Sequence, residues 1–205
     1  MLRRLFGSSG DRAPARVELL PDQIWISSQA RLNGIRAELQ RSATDPKMIA
    51  LVAHFPDMLA QLEPLAAEFG SKGRVRALLA RQLSSAAAER LPLDPAAILS
   101  LIVAERHPLR ARDAELLRFA EALPCRSRIV HHLSLEDPLF KLFGSERIRP
   151  LLGRLGASET EPIEHALITR SIEQAQRKIE AECSSDYDAD SAAAWLERNR
   201  RVGVR

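Results

Sequence analysis

The run from Met48 to Ala53, MIALVA, has no polar residue alternating into it. A strand of that kind must be covered on both faces, which is the situation of a parallel sheet sandwiched between helices. Two further runs suit the same sheet, Ile98 to Ala104 (ILSLIVA) and Arg128 to Leu133. Between those two, Leu116, Phe119, Ala120 and Leu123 mark one face of a helix that Asp113 could cap. Strand, helix and strand at this spacing form a crossover unit that packs right-handed on a parallel sheet. The expected fold is therefore α/β, a parallel sheet flanked by helices in three layers.

Other segments fit around that core. Ile24, Trp25 and Ile26 make a short apolar run, Ser27 or Ser28 can cap the next helix, and Leu32, Ile35 and Leu39 share one face of it. After an interruption at Asp45 and Pro46 and the MIALVA strand, Pro56 suits a first helical turn. Met58, Leu62, Leu65 and Phe69 continue the stripe, with Pro64 expected to kink or restart the helix and with Gly70 and Gly73 bracketing its end. Val75 to Leu91 reads as helical, and the pattern leaves open whether a strand precedes it. Further on, Ile148, Leu151, Leu152 and Leu155 predict a helix ending at Gly156, and Ile163, Leu167, Ile172, Ala175 and Ile179 predict a longer one. Ser184 to Ser191 is acidic and unpatterned, and a short last helix carries Trp195. The implied organisation is a flexible basic segment over 1–20, the α/β domain over 21–138, a helical extension over 139–183, and a linker with a short helix and tail over 184–205.

Several function classes lose support from the composition. Cys125 and Cys183 lie far apart without a CxxC partner, so neither a disulfide framework nor a zinc site is indicated. No signal-peptide core and no stretch of about 18 apolar residues occurs, so a cytoplasmic setting is expected. The net charge of +3 is concentrated at the ends, in Arg3, Arg4, Arg198, Arg200, Arg201 and Arg205. Solvated termini account for it, although such clusters can also approach anionic lipid. One Tyr and two Trp leave little for base stacking, and no basic stripe is visible, which argues against nucleic acid. His131 and His132 are adjacent in a strand and point to opposite faces, and His54, His107 and His165 are scattered, so no metal site is expected. No GxSxG elbow is present.

From Ser134 the chain reads SLEDPLFKLFGSERIRPLLGRLGASETEPIEHALITRSIEQAQRKIE. This resembles the SecA preprotein translocase ATPases, whose run has the form SLEDDLMRIFGSDR, then a helix ending LGM, then EAIEH and AIxxAQRKVE. Upstream, VAERHPLRARD is similar to the family's GTERHESRRID, matching at Glu105, Arg106, His107, Arg110 and Asp113, and the spacing from that Asp to SLED agrees without a gap. DQIWISSQARLNGI and MIALVAHFPDMLAQL take the places of earlier family segments, so the resemblance spans roughly Asp22 to Glu180. It implies a RecA-like second nucleotide-binding domain and the start of the helical scaffold of these motors of bacterial protein export. The opening MLRRLFGS is similar to the short amphipathic start of SecA, which contacts lipid.

The departures from the family pattern bear on activity. Where the family has QLRGRSGRQGD, whose arginines reach ATP phosphates, Glu115 to Cys125 reads ELLRFAEALPC, and the ungapped register puts Leu117, Phe119 and Ala122 at the three arginine places. An arginine finger contributes on the order of 10³ to 10⁵ in phosphoryl-transfer rate. No TNMAGRGTDI-like segment and no GxxxxGK[ST] loop are present, so a phosphate cradle and a magnesium carboxylate are missing. The expectation is a degenerate domain that is no ATPase alone and takes no cofactor, with catalytic residues and metal ligands both absent. It is expected to act as a non-catalytic interaction or regulatory module linked to protein export. Its partners would be translocase components or a second copy of itself, with peripheral contact at the inner membrane. The alternative is an ATP-binding subunit that completes a nucleotide site in trans. In either case Glu105, Arg106, His107, Arg110 and Asp113, at the end of a buried strand where open α/β sheets bind ligands, form the candidate remnant nucleotide or partner site; a structural ion-pair network is the competing explanation.

Overall fold

The computed structural model describes residues 16–42, 48–70, 74–142, 158–163 and 166–200. Its elements are β1 (Val17–Leu19), β2 (Gln23–Trp25), α1 (Ser28–Arg41), β3 (Met48–Ala53), α2 (Pro56–Phe69), β4 (Val75–Leu79), a 3-10 turn (Ala80–Gln82), α3 (Ser85–Ala88), β5 (Ile98–Val103), α4 (Arg110–Ala122), β6 (Arg126–Ser134), α5 (Pro138–Lys141), α6 (Ala166–Glu182) and α7 (Ala192–Asn199). The sheet runs β1-β6-β5-β3-β4, and β2 lies along the second half of β6 beyond β1. Every strand pairing in it is parallel. This is the three-layer RecA-like α/β architecture.

The period-two alternation of the central strands divides their side chains between two cores. Ile49, Leu51, Ala53, Ile102 and Val130 meet Ile35 and Leu39 of α1 and Met58, Leu62 and Leu65 of α2. Ala50, Val52, Leu101, Val103 and Ile129 meet Leu116, Phe119 and Ala120 of α4. A third cluster caps the carboxyl end of the sheet, where Ile172, Ala175 and Ile179 of α6 and Trp195 of α7 pack on Ile24, Phe55, Leu133 and Phe140. The stripe of α6 thus folds back onto the domain. Among the described residues, no helix is long and apolar enough to cross a membrane.

Three local expectations need correction. Val75 to Leu91 is not one helix: Val75–Leu79 is an edge strand on β3, followed by a 3-10 turn and the short α3. The good helix formers in VRALLARQL are overridden by pairing with a buried neighbour strand. Of the two outcomes expected at Pro64, a kink or a restart, the restart does not occur, because α2 is continuous from Pro56 to Phe69. Pro64 and Ala60 are both exposed, so the carbonyl that loses its amide partner can bond water. Asp113 does not cap α4 either, because the helix begins at Arg110 with Leu109 at the cap position. By contrast, Ser27 caps α1 as expected, its hydroxyl accepting from Ala30 N at 3.0 Å. Asp45, Gly73, the helix expected over Ile148, Leu151, Leu152, Leu155 and Gly156, and the basic amino-terminal residues 1–15 lie outside the described residues.

Candidate functional site

β3 and β5 are neighbours, yet the helix that follows β3 packs on one face of the sheet and the helix that follows β5 packs on the other. The loops leaving their carboxyl ends diverge and open a crevice, the topological switch point at which doubly wound sheets receive ligands. Its walls include His54 and Phe55, which follow β3, and His107, which follows β5. The rim is completed by Ala80 and Arg81 after β4, by Arg112 and Glu115 of α4, and by residues of the carboxy-terminal segment.

Of the five sequence-predicted residues His107 lines the crevice, Glu105 and Asp113 bond to it or to its neighbours His54 and Phe55 from behind, and Arg106 bonds to Asp113. Glu105, 6% exposed, turns under β3 so that its Oε1 accepts from the amides of His54 (2.9 Å) and Phe55 (3.0 Å), fixing the entry to α2. Burial and the nearby Asp137 carboxylate push its pKa up to about 8, against the opposing influence of the Phe55 amide and Arg31. Arg106 bridges two acids, donating to Asp22 Oδ1 at 2.7 Å and to Asp113 Oδ2 at 3.4 Å. Asp113 also accepts from the His107 amide (3.2 Å) and from Gln176 of α6 (2.8 Å), and His54 Nε2 lies 3.0 Å from its other oxygen. Burial raises the Asp113 pKa, but the His54 hydrogen bond and the charge of Arg106 outweigh it and hold the carboxyl below the ordinary range. His107 is pushed down to about 3 by burial and by His54, so it stays neutral, its Nδ1 accepting from Leu109 N at 3.0 Å. Arg110 does not join the group: it is exposed, and its amide donates to Glu180 of α6 instead.

Sequence reading missed several participants. Asp22, on the turn before β2, and His131 of β6 complete the buried network, with His131 Nδ1 3.5 Å from Asp22 Oδ1. His54 and His107, distant in sequence, come within 5.3 Å of each other. His132, on the opposite face of β6 as the strand period requires, receives the Trp25 indole N–H at 3.2 Å and contacts Glu38 of α1 at 2.8 Å. Among the described residues, no three His, Cys, Asp or Glu side chains are grouped as a metal ion would need.

The segment after α6 lies across the crevice. Trp195, 1% exposed, seats its ring 5.1 Å from that of His107, which also stacks on Phe55 at 5.2 Å. The Trp195 N–H donates to Asp186 Oδ1 at 2.8 Å, and the other Asp186 oxygen accepts from Arg112 Nε at 2.8 Å. Asp188 pairs with Arg81 at 3.2 Å. The Asp190 carbonyl takes the amide of Asp57, one of the orphan donors in the first turn of α2, at 3.0 Å. What remains open is about 60 Å³, room for a few waters, against roughly 300 to 1,000 Å³ for a typical small-molecule site.

No protein-family model matches the chain. Over 128 residues it is 39% identical to the protein translocase subunit SecA of Syntrophotalea carbinolica, covering 62% of this chain and 14% of that protein. The SecA subunit of Legionella pneumophila strain Corby is 48% identical over 84 residues, and that of Methylococcus capsulatus 47% over 85, each covering 40% of this chain and 9% of the relative. The chain is SecA-related. It spans about a seventh of the length of the Syntrophotalea subunit.

The SecA-like motifs acquire structural roles here. Within SLED, Glu136 Oε2 accepts from Ser28 N at the start of α1 (2.9 Å), and Asp137 takes the guanidinium of Arg31 at 2.7 Å and the amide of Ser134 at 2.9 Å. Arg31 is itself 1% exposed, so this pair is an internal rivet between α1 and the end of β6. The three places read above as the family's arginine positions fall on α4, one on the face toward the sheet and two on its flanks. Phe119 is 1% exposed in that core, and Leu117 and Ala122 pack against it, half-buried.

Proposed function

We propose that the chain is a non-catalytic interaction or regulatory module acting in protein export, with components of the translocation machinery as its partners. The observation that carries this reading is the filled switch-point crevice: the position where a motor domain of this fold would receive nucleotide is occupied by Trp195 and the acidic segment before it. Two features support it. The side chains at the arginine places are hydrocarbons, one in the core and two packed against it, and Arg106, whose retention favours the trans-site alternative, is held between Asp22 and Asp113. The relatives named above are translocase subunits, which supplies the link to export.

The test has two arms. Purified chain, alone and mixed with SecA, is assayed for ATP turnover and titrated calorimetrically with ATP and magnesium. The expected result is neither turnover nor heat from the chain alone, and no heat from the mixture beyond that of SecA by itself. Turnover by the chain alone overturns the reading, and heat from the mixture in excess of that of SecA alone replaces it with the trans-site alternative. In the second arm the chain is used as bait in its host, and export is measured in a deletion strain. Recovery of translocase components or an export defect is expected; absence of both removes the link to export.

A further inference from the structure

The segment from Cys183 to Arg200 is built as a unit. Backbone bridging between Cys183 and Arg200 closes its ends, and Arg200 also pairs with Glu182. Asn199, 2% exposed, satisfies its whole amide inside the loop: its oxygen accepts from Tyr187 N (2.7 Å) and Ser185 Oγ (3.1 Å), and its NH₂ donates to the carbonyls of Tyr187 (2.9 Å) and Trp195 (3.0 Å). Arg198 donates to the Asp188 carbonyl at 2.6 Å. Ser191 caps the short α7.

The contacts from this unit to the domain are of another kind. They centre on one buried aromatic anchor, Trp195, against His107, with Ala189, Ala192 and Leu196 on the same apolar cluster, together with a row of acidic or carbonyl acceptors that meets Arg112, Arg81 and the first turn of α2. An aromatic anchor in a pocket with a polar, charge-complementary rim is how protein interfaces are organised. The domain side of this interface is therefore a groove whose fitted occupant is a peptide: acidic at alternate residues (Asp186, Asp188, Asp190) and carrying a Trp on the helical turn that follows.

We propose that the switch-point crevice is a docking groove for an acidic, tryptophan-bearing segment of a partner protein, held closed in the free chain by its own 184–200 segment. The proposal rests on the reading of the crevice as a protein-contact surface and goes beyond it by naming the partner's chemistry. Tethering gives the internal segment an effective concentration on the order of millimolar, so a free peptide at micromolar concentration loses the competition unless the internal copy is weakened.

The experiment uses the full chain and a fluorescein-labelled peptide of residues 184–200, read by anisotropy. Wild type, Trp195→Ala and the double variant Asp186→Asn with Asp188→Asn are compared, each checked for native circular dichroism. Both variants are expected to bind the peptide at least tenfold more tightly than wild type, with binding weakened by high salt and abolished when the peptide carries Ala in place of Trp. Folded variants that bind no peptide overturn the proposal. So does inorganic pyrophosphate that displaces the peptide at lower concentration than unlabelled peptide, because the groove is then a phosphate site. Should neither variant fold, hydrogen exchange on wild type decides. The amide of Asp57, whose acceptor is the Asp190 carbonyl, exchanges ahead of β5 if the segment undocks, and only with β5 if it does not. ATP turnover by wild type would sink the proposed function while leaving the peptide result readable on its own.

Discussion

Glu105 and His107, two residues apart, respond to pH in opposite directions. The Glu105 carboxyl is raised from 4.5 to about 8 in the fold, so between those values the folded chain holds a proton that the unfolded chain has released, and stability falls as pH rises. His107 is lowered from 6.5 to about 3, and His131 is also held well below the ordinary histidine value by burial and by Arg106. Below pH 6.5 the unfolded chain protonates these imidazoles and the folded one does not, so stability is lost as pH falls. The expected profile has its maximum near pH 6.5. Glu105→Gln keeps the acceptor for the His54 and Phe55 amides while removing the titration. It is expected to abolish the decline between pH 6.5 and 8, worth roughly 2 kcal/mol at about 1.4 kcal/mol per pH unit. Urea midpoints across pH 5 to 8.5 measure both, and a wild-type curve flat above pH 6.5 contradicts the assignment. The ERH cluster was legible in the sequence because its members sit within nine residues of one another. Asp22, His54, His131 and Gln176 were not, since only the sheet register and the packing of α6 bring them to the same place.

At the level of elements, α1 approaches β2 closely because Gly34 faces the Trp25 ring. A Cβ at position 34 would lie 2.0 Å from Trp25 Cζ2, and the indole, stacked on His132 and 4% exposed, has nowhere to move. Gly34→Ala is expected to destabilise the chain by about 1 to 3 kcal/mol through overpacking, despite the better helix propensity of alanine. Thermal unfolding reads the effect, and Trp25→Phe in the same chain should restore part of the loss. The strands with no polar alternation were legible for the reason that made them strands: MIALVA has a neighbour strand on each side and a helix layer on each face. β4 was not, because an edge strand with one partner carries half the constraint and its Ala, Leu and Arg residues favour helix when read alone. The acidic stretch from Ser184 to Ser191 has no apolar period to read, and its partners Arg81, Arg112 and Asp57 lie more than 70 residues away.

Across the whole molecule, protection should follow the sheet. β3 and β5 have two strand neighbours each, and Leu51, Val52 and Leu101 are fully buried, whereas β1 is three residues long with Leu19 61% exposed. Amide exchange of β3 and β5 is expected to require global unfolding, and that of β1 to proceed by local opening at far lower free energy. Equal protection in β1 and β5 would contradict this. The pairing of β1 and β2 with β6 also sets an order of events during synthesis. Glu18 meets Arg128 across 110 positions of chain. At about 5 to 20 residues per second, the ribosome takes roughly 5 to 20 s to make the neighbour that β1 needs. For that interval the nascent amino-terminal strands have no partner in their own sheet and present open backbone edges to whatever chaperone or polypeptide is nearby.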